Sequence, residues 1–291
     1  MVGSPVPRPK TVAVERHHTL RCADSNGAHN IHYVEWGDAA NPNLLICAHG
    51  LTRCARDFDV LAAAMSDRYR VICPDAAGRG ESDWLANPAD YSYPQYLSDT
   101  QALLTHLNAG KLHWVGTSMG GMLGMLLASL PNSPVTRLVL NDVGILVPKE
   151  ALERIGRYVG QVVRFASFEE AVATVKAISP FGLNDEQWRS TTRPLLKQND
   201  DGSWQFRYDP AIGDIFRQGP IGDVDLTPYW NAVACPVLLL RGEESDLLKK
   251  ETFKAMCAKA GVQGIEFAGI GHAPMLMSAG QIAAVREFLL A

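Results

Sequence analysis

The sequence predicts an α/β fold, a mostly parallel sheet with helices on both faces, interrupted once by a long, mainly helical insertion. Short continuous apolar runs such as Leu44-Leu45-Ile46-Cys47-Ala48 alternate with segments of helical spacing. Strands buried on both faces and joined by crossover helices read this way. The alternation stops between residues 143 and 232 and then resumes, which predicts one core with one insertion. A chain of 291 residues with 47% apolar composition can fill such a core.

Taken in order, residues 1–10 are rich in proline and predict a flexible arm. Residues 11–22 and 31–36 predict two antiparallel strands around the turn Asp24-Ser25-Asn26-Gly27. The run 44–48 predicts a buried strand ending in His49-Gly50-Leu51-Thr52-Arg53, with helical spacing over 57–65. Residues 69–73 predict the next strand, followed by Pro74-Asp75, the Gly78-Arg79-Gly80 loop and an amphipathic helix over 96–107. Then come a strand at 112–115, a buried helix over 121–130 stopped by Pro131, and a strand at 135–140 ending in Asn141-Asp142. Within the insertion the pattern predicts helices over 149–165, 168–178 and 185–196. The core resumes with strands at 235–240 and 265–267 and helices over 249–259 and 279–290.

Composition narrows the partners. A net charge of −4 and a pI near 6.1 provide no basic field, so neither nucleic acid nor a membrane surface is an expected partner. The six cysteines show no CxxC or Cys/His ligand spacing, and Cys47, Cys73 and Cys235 sit in strand contexts. Free thiols and a reducing compartment follow. The N-terminal region has no apolar signal core and no run spans a bilayer, so a cytoplasmic location is expected. No ligand cluster or cofactor motif appears, and no metal or organic cofactor is expected. A small-molecule substrate is expected, and a homodimer is compatible with the sequence.

The chemistry is concentrated in Gly116-Thr117-Ser118-Met119-Gly120, directly after the strand at 112–115 and directly before a helix. This G-x-S-x-G pattern crowds its own turn, so the outer positions are nearly free of side chain and the serine hydroxyl stands above the sheet. A serine hydroxyl needs a base, and the base needs a carboxylate. In the chain order Ser, acid, His, the base is His272 in Gly271-His272-Ala273-Pro274, the only one of eight histidines in a C-terminal loop. The acid is expected at Asp246, in the loop after the strand at 237–240, with Glu243, Glu244 and Asp142 competing. Backbone amides of Leu51 and Met119 are the expected oxyanion donors, with glycine at position 50 permitting close backbone approach. His49 is read as a prop for that loop. Arg53 and Arg56 either bind a substrate carboxylate or cap the following helix.

With these residues in place the chain resembles the α/β-hydrolase superfamily from about residue 11 to 290. The ordered motifs are His49-Gly50, Gly78-Arg79-Gly80-Glu81-Ser82, Gly116 to Gly120 around Ser118, Gly242 to Asp246, and Gly271-His272. The resemblance implies an eight-stranded, mostly parallel sheet, with the core at 11–142 and 233–291 and a helical cap at 143–232 closing over the serine. Haloalkane dehalogenases and epoxide hydrolases carry aspartate where this chain has Ser118. Carbon–carbon bond hydrolases of meta-cleavage products typically have Asn and Trp where Thr117 and Ala273 stand, and perhydrolases have Trp where Leu51 stands. The expected activity is therefore hydrolysis of a carboxylic ester or lactone of a small to medium apolar substrate through an acyl-enzyme. Carbon–carbon bond hydrolysis and a small-molecule receptor role are the alternatives. The apolar residues Ile155, Val159, Val162, Val163, Phe165, Ile178, Phe181 and Trp188 either line an acyl pocket or form the cap's own core.

Overall fold

The computed structural model describes residues 14–179 and 181–291, so the expected arm at 1–10 and the start of the strand expected at 11–22 lie outside the described residues. Strands β1 (Glu15–Asp24) and β2 (Gly27–Trp36) form a hairpin whose turn ends on Gly27, at φ +127°. Only a residue without a Cβ adopts that angle at no steric cost. Next come β3 (Leu44–Ala48), helix α1 (Asp59–Met65), β4 (Arg70–Pro74) and helix α2 (Tyr93–His106). Helix α2 starts three residues before the apolar periodicity does, because the Ser92 hydroxyl accepts the Gln95 N–H and Pro94 fits the first turn. Strand β5 (Leu112–Thr117), helix α3 (Met119–Ala128) and β6 (Val135–Asn141) follow.

After β6 the chain leaves the sheet. It forms β7 (Leu146–Val147), α4 (Lys149–Gly156), β8 (Arg164–Phe165), α5 (Phe168–Ile178), α6 (Asp185–Thr192), β9 (Leu196–Gln198), β10 (Trp204–Phe206), β11 (Val224–Asp225) and α7 (Thr227–Ala232). It then returns through β12 (Val237–Gly242), α8 (Lys250–Cys257), β13 (Val262–Phe267) and α9 (Ala279–Leu290). The insertion is less helical than its sequence pattern predicts. The helix expected over 149–165 ends at Gly156, and Gly160 turns the chain at φ +81° toward β8. The helix expected over 185–196 stops at Thr192, since Pro194 lacks the N–H that would continue it. Two small sheets result, β8-β10-β9 and β11-β7, too short for a period-2 pattern to reveal.

The main sheet has eight strands in the order β1-β2-β4-β3-β5-β6-β12-β13. Pairings from β4 through to β13 are parallel, and β2 runs antiparallel to both of its neighbours. The sheet is thus eight-stranded and mostly parallel, as expected. Alternation along each central strand divides the core between its faces. Ile46, Trp114, Leu138 and Leu239 pack on one side with α2 and α3. Leu45, Val115, Val139 and Leu238 pack on the other with α1 and α9. Trp114 is fully buried and its indole N–H donates to the Gly120 carbonyl at 3.0 Å, so a large core residue also ties β5 to the start of α3. Removing that ring costs about 3–5 kcal/mol. All six cysteines are free thiols. Among the described residues no helix is long and apolar enough to cross a membrane.

Candidate active site

The turn between β5 and α3 leaves almost no room at its glycines. A Cβ on Gly116 would stand 2.2 Å from the Gly120 carbonyl oxygen, and one on Gly120 would stand 2.1 Å from the Ala48 carbonyl oxygen on the neighbouring strand. These contacts are with backbone, which cannot move aside. Between them Ser118 holds φ +51°, a left-handed conformation that a residue with a Cβ rarely adopts. Its amide donates to the Asn141 carbonyl at 3.0 Å, and its carbonyl accepts from the Gly121 and Met122 amides, both at 2.9 Å. The hydroxyl is thereby set at the C-terminal edge of the sheet, where open α/β sheets place their ligands.

His272 reaches that hydroxyl from the loop after β13, with Nε2 3.0 Å from Ser118 Oγ. Its Nδ1 lies 2.7 Å from Asp142 Oδ2. The structure therefore corrects the expected acid: the carboxylate on His272 is Asp142, at the end of β6, and Asp246 is elsewhere. Asp142 is fully buried and accepts two further hydrogen bonds, from the Gly242 amide at 2.9 Å and the Ser245 hydroxyl at 2.6 Å. The loop after β12 thus turns Gly242 and Ser245 inward, and Asp246 faces the insertion. There Asp246 forms a bidentate pair with Arg154 of α4, at 2.6 and 2.9 Å, with both side chains about 40% exposed. Glu243 accepts from the Gly269 amide at 3.2 Å, a loop contact.

Asn141 is a residue that sequence reading passed over. Fully buried, it donates from Nδ2 to Thr117 Oγ1 at 2.9 Å and to the Pro274 carbonyl at 2.7 Å. One amide thus ties the elbow to the histidine loop. The available signal was a polar pair, Asn141-Asp142, closing the apolar run Leu138-Val139-Leu140, since buried polar groups need partners to offset their desolvation.

Leu51 lines the cavity that holds Ser118 and His272. Met119 is the first residue of α3, where a helix N–H has no intrahelical acceptor. His49 serves as the expected prop: Nδ1 donates to the Gly50 carbonyl at 2.7 Å and Nε2 accepts the Ala76 amide at 3.0 Å. Burial pushes its imidazole below the ordinary histidine value, which suits that neutral pairing. Glycine at 50 is not required by backbone crowding, because a Cβ there would meet its nearest atoms at 3.6 Å or more. One of those atoms is Ser118 Cβ at 3.8 Å, so the methyl group would occupy space at the serine instead. Arg56 pairs with Asp59 and Glu15. Arg53 lies on the cavity wall, but Asp57 holds its guanidinium bidentately at 2.7 and 2.6 Å, which leaves it a helix-side brace.

The cavity over Ser118 measures about 290 Å³, at the small end for a ligand site. Of the apolar insertion residues weighed from sequence, Ile155, Val163, Ile178 and Phe181 line it, together with Met275. Val159, Phe165 and Trp188 belong to buried packing, and Val162 is exposed. Tyr158, Gln161, Tyr208 and Thr52 add polar groups to the wall. A larger depression of about 660 Å³, lined by Asn43, Arg70, Lys111 and Leu290, lies at the opposite, N-terminal ends of the strands, away from the serine.

Residues 45–285 match the model of the alpha/beta hydrolase family. The chain is 46% identical over 280 residues to a 3-hydroxybutyrate-oligomer hydrolase of Cupriavidus necator, covering 92% of this chain and 96% of that one. Among solved structures, a putative hydrolase from Rickettsia typhi superposes with a TM-score of 0.88 at 33% identity, covering 95% of this chain and 99% of its own. An alpha/beta hydrolase from Novosphingobium aromaticivorans superposes with a TM-score of 0.85 at 36% identity, covering 96% and 98%. The family match runs from within β3 through the elbow and the histidine loop into α9, and the chain belongs to the alpha/beta hydrolase family.

Proposed function

We propose that this α/β hydrolase cleaves carboxylic ester bonds in short oligoesters of a small hydroxy acid, through an acyl-enzyme on Ser118. The relay carries this reading: Ser118 Oγ, His272 and Asp142 are linked by contacts of 3.0 and 2.7 Å, ending on a carboxylate that is fully buried and multiply hydrogen-bonded. That arrangement suits a serine made nucleophilic by a held imidazole. Its substrate class is supported by the 46% identity to a 3-hydroxybutyrate-oligomer hydrolase. A compact cavity of about 290 Å³ with mixed apolar and hydroxyl-bearing walls is compatible with short chains that are rich in ester oxygen.

Ser118 Oγ attacks the ester carbonyl as its proton passes to His272 Nε2, while Asp142 holds Nδ1–H and stabilises the imidazolium. The Leu51 and Met119 amides take the oxyanion. Collapse of the tetrahedral intermediate breaks the C–O bond, and the proton on Nε2 goes to the leaving alkoxide, which departs as the shortened hydroxy ester. Water, losing its proton to Nε2, then attacks the acyl-enzyme, and its collapse releases the acid and returns the proton to Ser118.

The test is turnover of p-nitrophenyl butyrate and of 3-hydroxybutyrate dimer and trimer by wild type and Ser118→Ala. Wild type is expected to hydrolyse all three and to be labelled on Ser118 by an organophosphonate, with the variant losing at least about 10³-fold in kcat. Equal, slow hydrolysis by both proteins together with no labelling would remove the enzymatic reading and leave the receptor alternative. Activity on the p-nitrophenyl ester but not on the oligomers would remove only the substrate class.

A further inference from the structure

Arg79, from the Gly78-Arg79-Gly80 loop, is fully buried, yet among the described residues none of its hydrogen-bond partners is a carboxylate. Nε donates to the Leu51 carbonyl at 2.9 Å, and Nη1 donates to the Ala77 carbonyl and the Tyr96 phenol oxygen, both at 2.7 Å. Nη2 lies 3.7 Å from Met119 Sδ. The faces of Tyr91 and Tyr96 stack on the guanidinium at 5.7 and 5.0 Å. Its flanking glycines make this burial feasible. A Cβ on Gly78 would stand 2.6 Å from the Tyr91 ring, and one on Gly80 would stand 2.2 Å from the buried Asp75 carboxylate.

A guanidinium is charged at every physiological pH, and burying it without a hydrogen-bonded carboxylate is energetically costly. That cost has a functional reason if the counterion appears only during the reaction. Among the described residues, the hydrogen-bond partners of Arg79 besides its own loop and Tyr96 are Leu51 and Met119, whose amides face the developing oxyanion in the proposed mechanism. We infer that Arg79 is a positioning residue for the oxyanion hole, bracing the Leu51 peptide and the Met119 side chain from beneath and placing its positive charge below the oxyanion. This rests on the acyl-transfer reading given above. Because the charge acts on the tetrahedral state more than on the neutral ester, its contribution falls on kcat and leaves KM nearly unchanged.

The experiment compares wild type, Arg79→Met, Arg79→Lys and Tyr96→Phe, with kcat expressed per serine titrated by an organophosphonate. A trifluoromethyl ketone, which adds to the serine as an anionic tetrahedral adduct, serves as the second readout. Arg79→Met is expected to lose about 10- to 100-fold in kcat with KM within about threefold, and to lose affinity for the ketone by a similar factor. Arg79→Lys, which keeps the charge but not the fork, is expected to recover part of both. Tyr96→Phe, which removes one acceptor of Nη1, is expected to lose a smaller factor in both. A purely structural role would lower the melting temperature and the titratable fraction but leave kcat per titrated serine and ketone affinity within about threefold, and that result would overturn the inference. Should Arg79→Met not fold, unchanged values in Arg79→Lys and Tyr96→Phe overturn it equally. A wild type that neither turns over esters nor binds the ketone would instead refute the acyl-transfer reading.

Discussion

Replacing Asp142 by asparagine tests the site most directly, because the structure dictates what the change must break. The carboxylate offers Oδ1 to the Gly242 amide at 2.9 Å, and Oδ2 to the Ser245 hydroxyl at 2.6 Å and to His272 Nδ1 at 2.7 Å. Asparagine has one oxygen and one NH2 for these positions. If the oxygen faces His272, the NH2 opposes the Gly242 N–H and leaves a buried donor unsatisfied, at about 1–3 kcal/mol of stability. The negative charge opposite the imidazolium is also gone, and for a pair about 4 Å apart at an effective dielectric near 20 that is about 4 kcal/mol, or roughly 10³ in rate. If the amide flips, Nδ1 must accept, the ring takes the other tautomer, and Nε2 carries a proton toward Ser118 that stops it acting as a base. That outcome costs about 10⁴ in a Ser-His-Asp hydrolase. Either way kcat per folded enzyme falls by about 10³ to 10⁴. Asp246→Asn loses only a half-exposed ion pair with Arg154, and is expected to change stability by no more than about 1 kcal/mol and kcat by a few-fold at most. The assay is p-nitrophenyl ester hydrolysis with circular dichroism as the folding control. The assignment fails if Asp142→Asn keeps more than about a tenth of kcat while Asp246→Asn collapses it.

Two stability measurements follow from the same geometry. Gly120→Ala drives a Cβ to 2.1 Å from the Ala48 backbone oxygen. The expected cost exceeds about 4 kcal/mol, seen as a melting temperature lower by about 10 °C or as failure to accumulate. Gly280→Ala, in α9 where an added Cβ meets nothing within 4 Å, is expected to stabilise by about 0.5–1 kcal/mol. In the pH dimension, burial pushes His113 down to about 4, with the nearby Arg137 charge adding to it. The unfolded chain then binds a proton that the folded one does not between about pH 6.5 and pH 4, so stability falls across that window as the medium is acidified. His113→Gln is expected to flatten the acid limb of denaturant midpoints over that range. An unchanged slope would show that His113 does not contribute to it.

Much of this was legible in the chain, for identifiable reasons. Continuous apolar runs such as residues 44–48, short for a buried helix and alternating with helical segments, read as strands buried on both faces, and the parallel sheet follows from that alternation. Gly116 and Gly120 flanking Ser118 encode a turn that admits no Cβ, and the structure shows the clash distances behind that pattern. The contact between His272 and Ser118 was expected from chain order. The small sheets of the insertion were hidden, because strands of two or three residues carry no periodicity and Gly160 and Pro194 break the expected helices at points the pattern ignores.

Local sequence determined the backbone of the elbow, since steric exclusion acts between atoms a few bonds apart. That a histidine and a carboxylate follow the serine was an expectation from chain order and not a consequence of the local backbone. Which carboxylate meets His272 was decided only by tertiary structure. Asp142 and Asp246 both follow strands that end at the same sheet edge, and the expectation drawn from loop position fell on Asp246, which the structure places away from His272. What separates them is that Gly242 and Ser245 donate to Asp142 and hold it beside His272, while Arg154, contributed by the insertion, holds Asp246 outward. The burial of Arg79 against the Leu51 carbonyl and the Met119 side chain was decided the same way, by two loops and a helix start that meet from separate parts of the chain.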